Sequence, residues 1–279
     1  MATSWTCPSC ARRRRTKFCA NCGEERLRPR DLSFADLAAR FAQTFSSLDG
    51  KLLRSSRAIL VTPGKLTASY VRGERRRFLG PLQLFLIANA LFFGVQSITS
   101  LNVLSSTLDS HLHVQDWREF AQSLVARRFG DDRRALAAFA SDFDRAALFN
   151  AKALIILMVI AFAPMAALLF RKSQSTAGAH IVFALHVYSF VLVVLCVALG
   201  LAEAELLMGG GGLASPRVDT WLSLANLVAF AVYIYLAIGP AYSACGPFRF
   251  IAAGVLAAIV GVLFVGYRFA IFLITFYTT

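Results

Sequence analysis

Apolar residues in this chain come in blocks rather than in stripes. Five stretches, 79–96, 151–170, 180–202, 220–241 and 250–272, approach or exceed the roughly 20 residues that a helix needs to cross a bilayer. Ahead of them the pattern changes. Phe34, Leu37, Phe41 and Phe45 recur at helical spacing, with Asp31 or Ser33 placed to cap them. Leu52, Leu53, Ile59, Leu60 and Val61 continue an apolar face after Asp49-Gly50, and Pro63-Gly64 ends it. Arg40, Lys51, Arg54 and Arg57 fall on the other side or at its edge. Residues 31–61 thus read as a basic amphipathic helix. It either lies in the membrane interface or packs beneath the membrane domain. In the polar interval 98–150, Trp117, Phe120, Leu124 and Phe129, then Leu136, Phe139 and Phe143, predict two amphipathic helices. They separate near Gly130-Asp131-Asp132, and the second leads into the next span.

Composition agrees. The chain is 57% hydrophobic and 16% charged, against roughly 45–50% and 25% in soluble domains. The net charge of +13 is unevenly placed. Residues 1–78 hold 17 Lys/Arg against 6 Asp/Glu, a net of +11, whereas 98–152 holds 7 of each. Such asymmetry is what the positive-inside rule produces, so the excess needs no nucleic-acid partner. The partner it implies is the anionic lipid surface, with Arg72, Arg75, Arg76 and Arg77 as the membrane-surface binding cluster. Arg171 and Lys172 after the second span, and Arg249 before the last, fit a cytoplasmic side. Five crossings then place the N-terminus in the cytoplasm and the C-terminus outside. The last apolar stretch is too long for one straight crossing, so either Arg268 snorkels to the outer interface or the helix tilts. The first residues are polar and arginine-rich, without the apolar core of a signal peptide.

Cys7, Cys10, Cys19 and Cys22 are spaced C-x2-C-x8-C-x2-C. Each C-x-x-C allows a tight turn to aim two sulfurs at one ion, and two facing turns supply four thiolates in tetrahedral geometry. Residues 1–26 therefore read as a zinc ribbon. Gly23 supplies the left-handed position such a turn needs. Arg12 to Arg15 and Lys17 fill the connecting hairpin as a solvated face, and no aromatic platform accompanies them for stacking bases. Cys196 and Cys245 have no evident partners.

Ionisable and polar groups inside spans are functional candidates. His186 lies inside the third span and His180 at its start. With Asn89, Asn226 and Tyr233 on other spans, His186 defines a candidate intramembrane polar site, for which a structural hydrogen-bonding role is the competing reading. Pro164 and Pro240 are placed to kink their spans. The chain has no nucleophile elbow, Walker loop or HExxH, and no carboxylate pair inside a span. Gly209–Gly212 is a linker, and Asp131, Asp132, Asp142 and Asp144 read as a solvated helix face.

Several strings carry a resemblance. They are Pro63-Gly64-Lys65-Leu66-Thr67, Tyr70-Val71-Arg72-Gly73-Glu74-Arg75-Arg76-Arg77-Phe78, Pro81-Leu82-Gln83-Leu84-Phe85-Leu86 with Asn89 and Phe92-Phe93, Leu169-Phe170-Arg171-Lys172, and His180 through His186. Together they resemble the bacterial membrane family catalogued as domain-of-unknown-function family 3667, most specifically over 60–93. The resemblance implies a zinc-ribbon knuckle ahead of multiple spans and carries over no catalytic residue.

The expected architecture is an all-α integral inner-membrane protein. It has a zinc-ribbon knuckle at 1–26, an amphipathic and basic juxtamembrane segment at 31–78, and a five-span bundle at 79–279 with an outer helical loop at 98–150. Three function classes stay open. The first is a membrane-anchored adaptor or assembly factor that meets a protein partner at the ribbon. The second is a small transporter, channel or lipid-handling protein that uses the polar interior. The third is an intramembrane enzyme. A water-accessible cavity at His186 would favour the second and third, and a packed histidine the first.

Overall fold

The computed structural model describes residues 4–16, 18–24, 50–99, 101, 103–130, 132–171, 173 and 176–279. Phe34, Leu37, Phe41 and Phe45 lie outside the described residues. A two-stranded antiparallel ladder comes first, β1 (Trp5–Thr6) with β2 (Arg13–Arg14), pairing Trp5 with Arg14. Ten α-helices follow among the described residues: α1 (Lys51–Val61), α2 (Lys65–Arg72), α3 (Pro81–Thr99), α4 (Leu108–His113), α5 (Arg118–Phe129), α6 (Arg133–Leu154), α7 (Ile156–Leu169), α8 (Ala177–Leu207), α9 (Pro216–Tyr242) and α10 (Gly246–Thr278).

Four of these, α3, α8, α9 and α10, are long and apolar enough to cross a membrane. The fifth expected stretch is a bent pair. Helices α6 and α7 meet at Ile155 with an angle of 44°, so the expected span 151–170 is a 14-residue helix joined to the end of a longer amphipathic one. Helix α8 is the axis of the bundle. Its most apolar window is 61% buried, against 28% for α9 and for α10. It packs on α3, α7 and α9, while α10 closes the bundle against α9, α7 and α6.

At one end of the bundle, α2 is driven into the spans rather than laid beneath them. Leu66, Thr67, Ala68, Ser69 and Tyr70 are all buried, and the helix contacts α8 and α9. The approach depends on Gly64. Its φ of +78° is left-handed, and a Cβ there would sit 2.1 Å from the Ala237 carbonyl oxygen of α9. Helix α1 crosses outside α2. It buries Ile59 and Ser55, and the Ser55 hydroxyl accepts from the Leu79 N–H at 2.8 Å.

The same end contains a proline-made defect. Pro240 has no N–H to give the Leu236 carbonyl, so that acceptor is freed inside α9. Arg249 of α10 answers it. Its guanidinium donates to the carbonyls of Tyr235 at 2.8 Å and Leu236 at 3.4 Å, and stacks 4.3 Å from the Tyr235 ring centroid. Sequence pattern marks Arg249 as a topology charge; the fold uses it as a plug.

Helices α4–α6 cap the opposite end. The expected break falls at Gly130, and Asp132 caps α6 by accepting from the N–H groups of Arg134 and Ala135, each at 3.0 Å. The short α4 is an element the apolar pattern does not show. Arg128 donates to the Phe276 carbonyl at 2.6 Å, and Asn150 to Thr275 Oγ1 at 2.9 Å, which ties the capping helices to the end of α10. Arg268 donates to Ser106 Oγ at 2.8 Å, in the same capping region. His111 is buried between Phe272 and Phe143 and accepts at Nδ1 from the Trp117 indole at 3.1 Å. Burial, with the nearby Arg268 charge, pushes its pKa down to about 4.

Two outcomes follow from these contacts. Gly64→Ala must place a side chain into the α9 backbone at a left-handed φ, and should cost about 2–4 kcal/mol. Thermal unfolding in detergent measures it, and an unchanged midpoint would count against the buried α2. For His111, the unfolded state takes a proton near pH 6.5 and the folded state only near 4. Its stabilisation is therefore full above pH 6.5 and is lost as pH falls toward 4. The midpoint of wild type should fall across that window more steeply than that of His111→Phe.

Candidate metal centre and the buried histidine

The four N-terminal cysteines converge. One sulfur from each, Cys7, Cys10, Cys19 and Cys22, lies within 4.8 Å of every other. Neighbouring sulfurs stand 3.4 Å apart for Cys7 and Cys22, 3.5 Å for Cys10 and Cys19, and 3.7 Å for Cys10 and Cys22. Sulfurs at about 2.3 Å from one tetrahedral ion would be separated by about 3.8 Å, so the cluster has the dimensions of a metal cage.

Two matching turns build it. The Cys7 carbonyl accepts from Ala11 N–H at 2.8 Å, as the Cys19 carbonyl does from Gly23 N–H at 2.5 Å. Cys7 N–H in turn donates to Arg12 and Cys19 N–H to Glu24, at 3.0 and 2.7 Å. The residue after each second cysteine is left-handed, with φ of 57° at Ala11 and 67° at Gly23. Glycine marks that position in the second turn, whereas the alanine in the first hides it. Hydrogen bonds led by the Cys22 backbone N–H pull the Cys19 thiol down to about 5, while burial raises Cys7, and burial with the neighbouring sulfurs raises Cys22.

Glu24 connects this knuckle to the basic stretch before α3. It is 2% exposed, and its two carboxylate oxygens accept from Ser9 Oγ at 2.7 Å and from the Arg75 backbone N–H at 3.3 Å. Arg76 donates to the Cys22 carbonyl. The four arginines of the expected surface cluster thus have separate surroundings. Arg72 is exposed and pairs with Glu74 at 3.6 Å. The Arg75 guanidinium lies 5.0 Å from the Tyr70 ring centroid. Arg76 reaches the knuckle, and Arg77 is exposed, its carbonyl accepting from Arg54 Nε at 3.2 Å.

His186 faces the bundle interior at 2% exposure. Its Nδ1 pairs with Thr67 Oγ1 of α2 at 2.8 Å, across 119 residues of sequence. Among the described residues no hydrogen bond joins it to Asn89, Asn226 or Tyr233. Asn89 is half-buried on α3, with its Oδ1 unpartnered. Asn226 is half-buried on α9, and Tyr233 stacks on Phe190 at 3.8 Å. His180 pairs separately, with Tyr242 Oη at 2.9 Å. Thr67 escaped notice because a lone threonine in a basic amphipathic stretch carries no mark of burial.

Residues 49–93, which comprise α1, α2 and most of α3, match the model of the family described as Protein of unknown function (DUF3667). The match covers 45 of the chain's 279 residues. No curated protein and no solved structure matches the chain. The cysteine knuckle and the later strings around Leu169 and His180 lie outside the matched residues. Even so, the matched stretch contacts both: Arg75 and Arg76 meet Glu24 and Cys22, and Thr67 meets His186.

The Thr67–His186 pair gives a direct test. Thr67→Val leaves the imidazole without a partner and should cost about 1–3 kcal/mol, while Thr67→Ser keeps the hydroxyl and should cost less than 1. Equal melting points for the two variants in detergent would show that the bond carries nothing.

Proposed function

We propose that this protein is a membrane-anchored adaptor or assembly factor. It is a five-span inner-membrane bundle, N-terminus in the cytoplasm and C-terminus outside, that presents a zinc-loaded ribbon beside a basic surface. Cys7, Cys10, Cys19 and Cys22 hold the zinc as a structural ion, four thiolates closing the coordination and leaving no open position for a reaction. The observation that carries the reading is the docking of the knuckle. Glu24 and Arg76 fix it to the loop leading into the first span, so the ribbon, α1 and the basic loop form one continuous face. A metal-held module rigidly mounted at the membrane end of a bundle suits recognition of a partner. The packed environment of His186 on Thr67 agrees, since a histidine that moves ions or protons needs access to water.

Five crossings are supported by the contacts at the two ends. The knuckle, α2 and the Arg249 plug share one end, while α4–α6 and the C-terminal turn of α10 share the other. An α6–α7 pair counted as one bent span reconciles them.

One observation favours the lipid-handling alternative. A cleft of about 510 Å³ opens between α3, α7 and α8, walled by Leu82, Val159, Ala163, Pro164 and Leu185, with His180 at its margin. It is apolar and of a size for an acyl chain.

Purified protein should carry one zinc per chain by elemental mass spectrometry, and Cys10→Ser with Cys22→Ser should abolish it. Reporters fused at Ser110 and after Thr279 should both read as outside; a cytoplasmic signal at either breaks the five-span scheme. Crosslinking in native membranes should then capture a protein that the double cysteine variant, still inserted, fails to hold. Retention of the same partner without zinc would remove the adaptor reading.

A further inference from the structure

A polar cavity of about 560 Å³ lies where the knuckle meets α1 and the basic loop, lined by Lys51, Arg54, Arg76 and Arg77 with Ser9 and Glu24. Among the described residues four cations line it with one carboxylate, both oxygens of which are taken by Ser9 and Arg75. Two of the cations are anchored by single bonds, Arg76 to the Cys22 carbonyl and Arg54 Nε to the Arg77 carbonyl. Those bonds hold the guanidinium groups close together and leave further N–H donors on each.

The start of α1 adds to this concentration. Its N-cap is Gly50, with no capping side chain, and its first turn has no acidic residue. Lys51 and Arg54 instead put positive charge at the positive end of the helix dipole, against the usual preference. An anion bound among them removes that conflict, since the helix dipole and the cations both favour negative charge there.

The opposite face of α1 identifies the anion. At 100° per residue, Leu53 and Leu60 fall on the side away from buried Ser55 and Ile59, and with Val61 they are 76%, 48% and 65% exposed. A cationic mouth bordered by an outward apolar strip matches an amphiphile, its charged group in the cavity and its chains along Leu53 and Leu60. We propose that the cavity between the knuckle and α1 binds the phosphate headgroup of an anionic phospholipid, with Lys51, Arg54, Arg76 and Arg77 as its ligands. The site rests on the membrane-surface reading above. It assigns to Lys51 and Arg54 a role equal to that of the arginines of the loop, and it releases Arg72 and Arg75, which are otherwise engaged, from the binding set.

The test uses the full chain in detergent, with phosphatidylglycerol or phosphatidylcholine titrated in and retained lipid counted by native mass spectrometry. Among the described residues no hydrogen bond or ion pair uses the Lys51 or Arg77 side chain. Wild type should retain phosphatidylglycerol over phosphatidylcholine, and Lys51→Gln with Arg77→Gln should weaken that retention about tenfold. The control pair Arg118→Gln with Arg133→Gln, at the opposite end, should leave it unchanged. Equal retention of the two lipids, or an unchanged preference in the Lys51/Arg77 variant, overturns the proposal. Displacement of phosphatidylglycerol by millimolar inorganic phosphate overturns the lipid assignment in favour of a soluble phosphate. Zinc is measured in the same samples. A zinc-loaded protein without lipid preference sinks the headgroup site alone, whereas a chain that never holds zinc sinks the ribbon reading.

Discussion

In hydrocarbon an unpaired polar group has no water to fall back on, and each one costs several kcal/mol. That constraint explains most of the irregular features of this bundle. Pro240 frees a carbonyl in α9, and Arg249 reaches across from α10 to fill it. A histidine sits ten residues into α8, and a threonine from a different helix meets it. Tyr267 sends its hydroxyl to the Ala151 carbonyl at 2.7 Å, close to the point where α6 bends into α7. Each partner comes from another element, so the defects serve as fastenings. A bundle of uniform apolar helices would gain nothing by choosing one neighbour over another, since lipid is as apolar as leucine. Here the polar pairs set which helix faces which.

The second organising contact is electrostatic and lies outside the bundle. A four-cysteine knuckle is too small to own a hydrophobic core, and its strands are two residues each. Its position therefore depends on what it touches. Buried Glu24 takes the Arg75 N–H on one side and Ser9 on the other, and so joins the second turn of the knuckle to its first as well as to the juxtamembrane loop. The cysteine cluster and the docking contacts are adjacent in sequence, because Gly23 and Glu24 directly follow the last cysteine. A change in the cage is felt at the loop with no intervening chain to absorb it.

Some of this was legible in the sequence, for physical reasons. Long apolar blocks reveal spans because lipid imposes their length. Paired C-x-x-C spacing reveals a cage because thiolates must converge. The break at Gly130 was readable because stop signals are local, whereas the cap made by Asp132 was read only as part of a solvated helix face. The unreadable parts are long-range. Nothing local marks the bend at Ile155, where an apolar run continues on both sides, since hydropathy reports composition and not direction. Nothing near Thr67 or His186 names the other across 119 residues. The polar candidates Asn89, Asn226 and Tyr233 were equally eligible by type, and the path of α2 supplies Thr67 in place of all three. Arg249 was read as a topology mark because an arginine at a span boundary always fits that rule, while its carbonyl partners depend on a proline nine residues earlier.

The matched stretch 49–93 is short, yet the contacts to the knuckle and to His186 pass through it. Its loop receives the knuckle, its α2 enters the spans, and its α3 lies along the central α8. Helix α2 explains the arrangement. Eight residues make a marginal helix in isolation, and five of them are buried here, so its stability comes from the slot between α8 and α9. Gly64 must open that slot at the backbone, and Thr67 must find His186 inside it. The chain leaves α2 at Gly73, again left-handed at φ 99°, straight into the basic loop that carries Glu24's partner. The depth of α2 in the bundle and the seat of the knuckle are therefore coupled through Arg72 to Arg76, a segment too short to stretch. A movement of α2 relative to α8 would be transmitted to the metal cage, and the Thr67–His186 bond is the element that resists it.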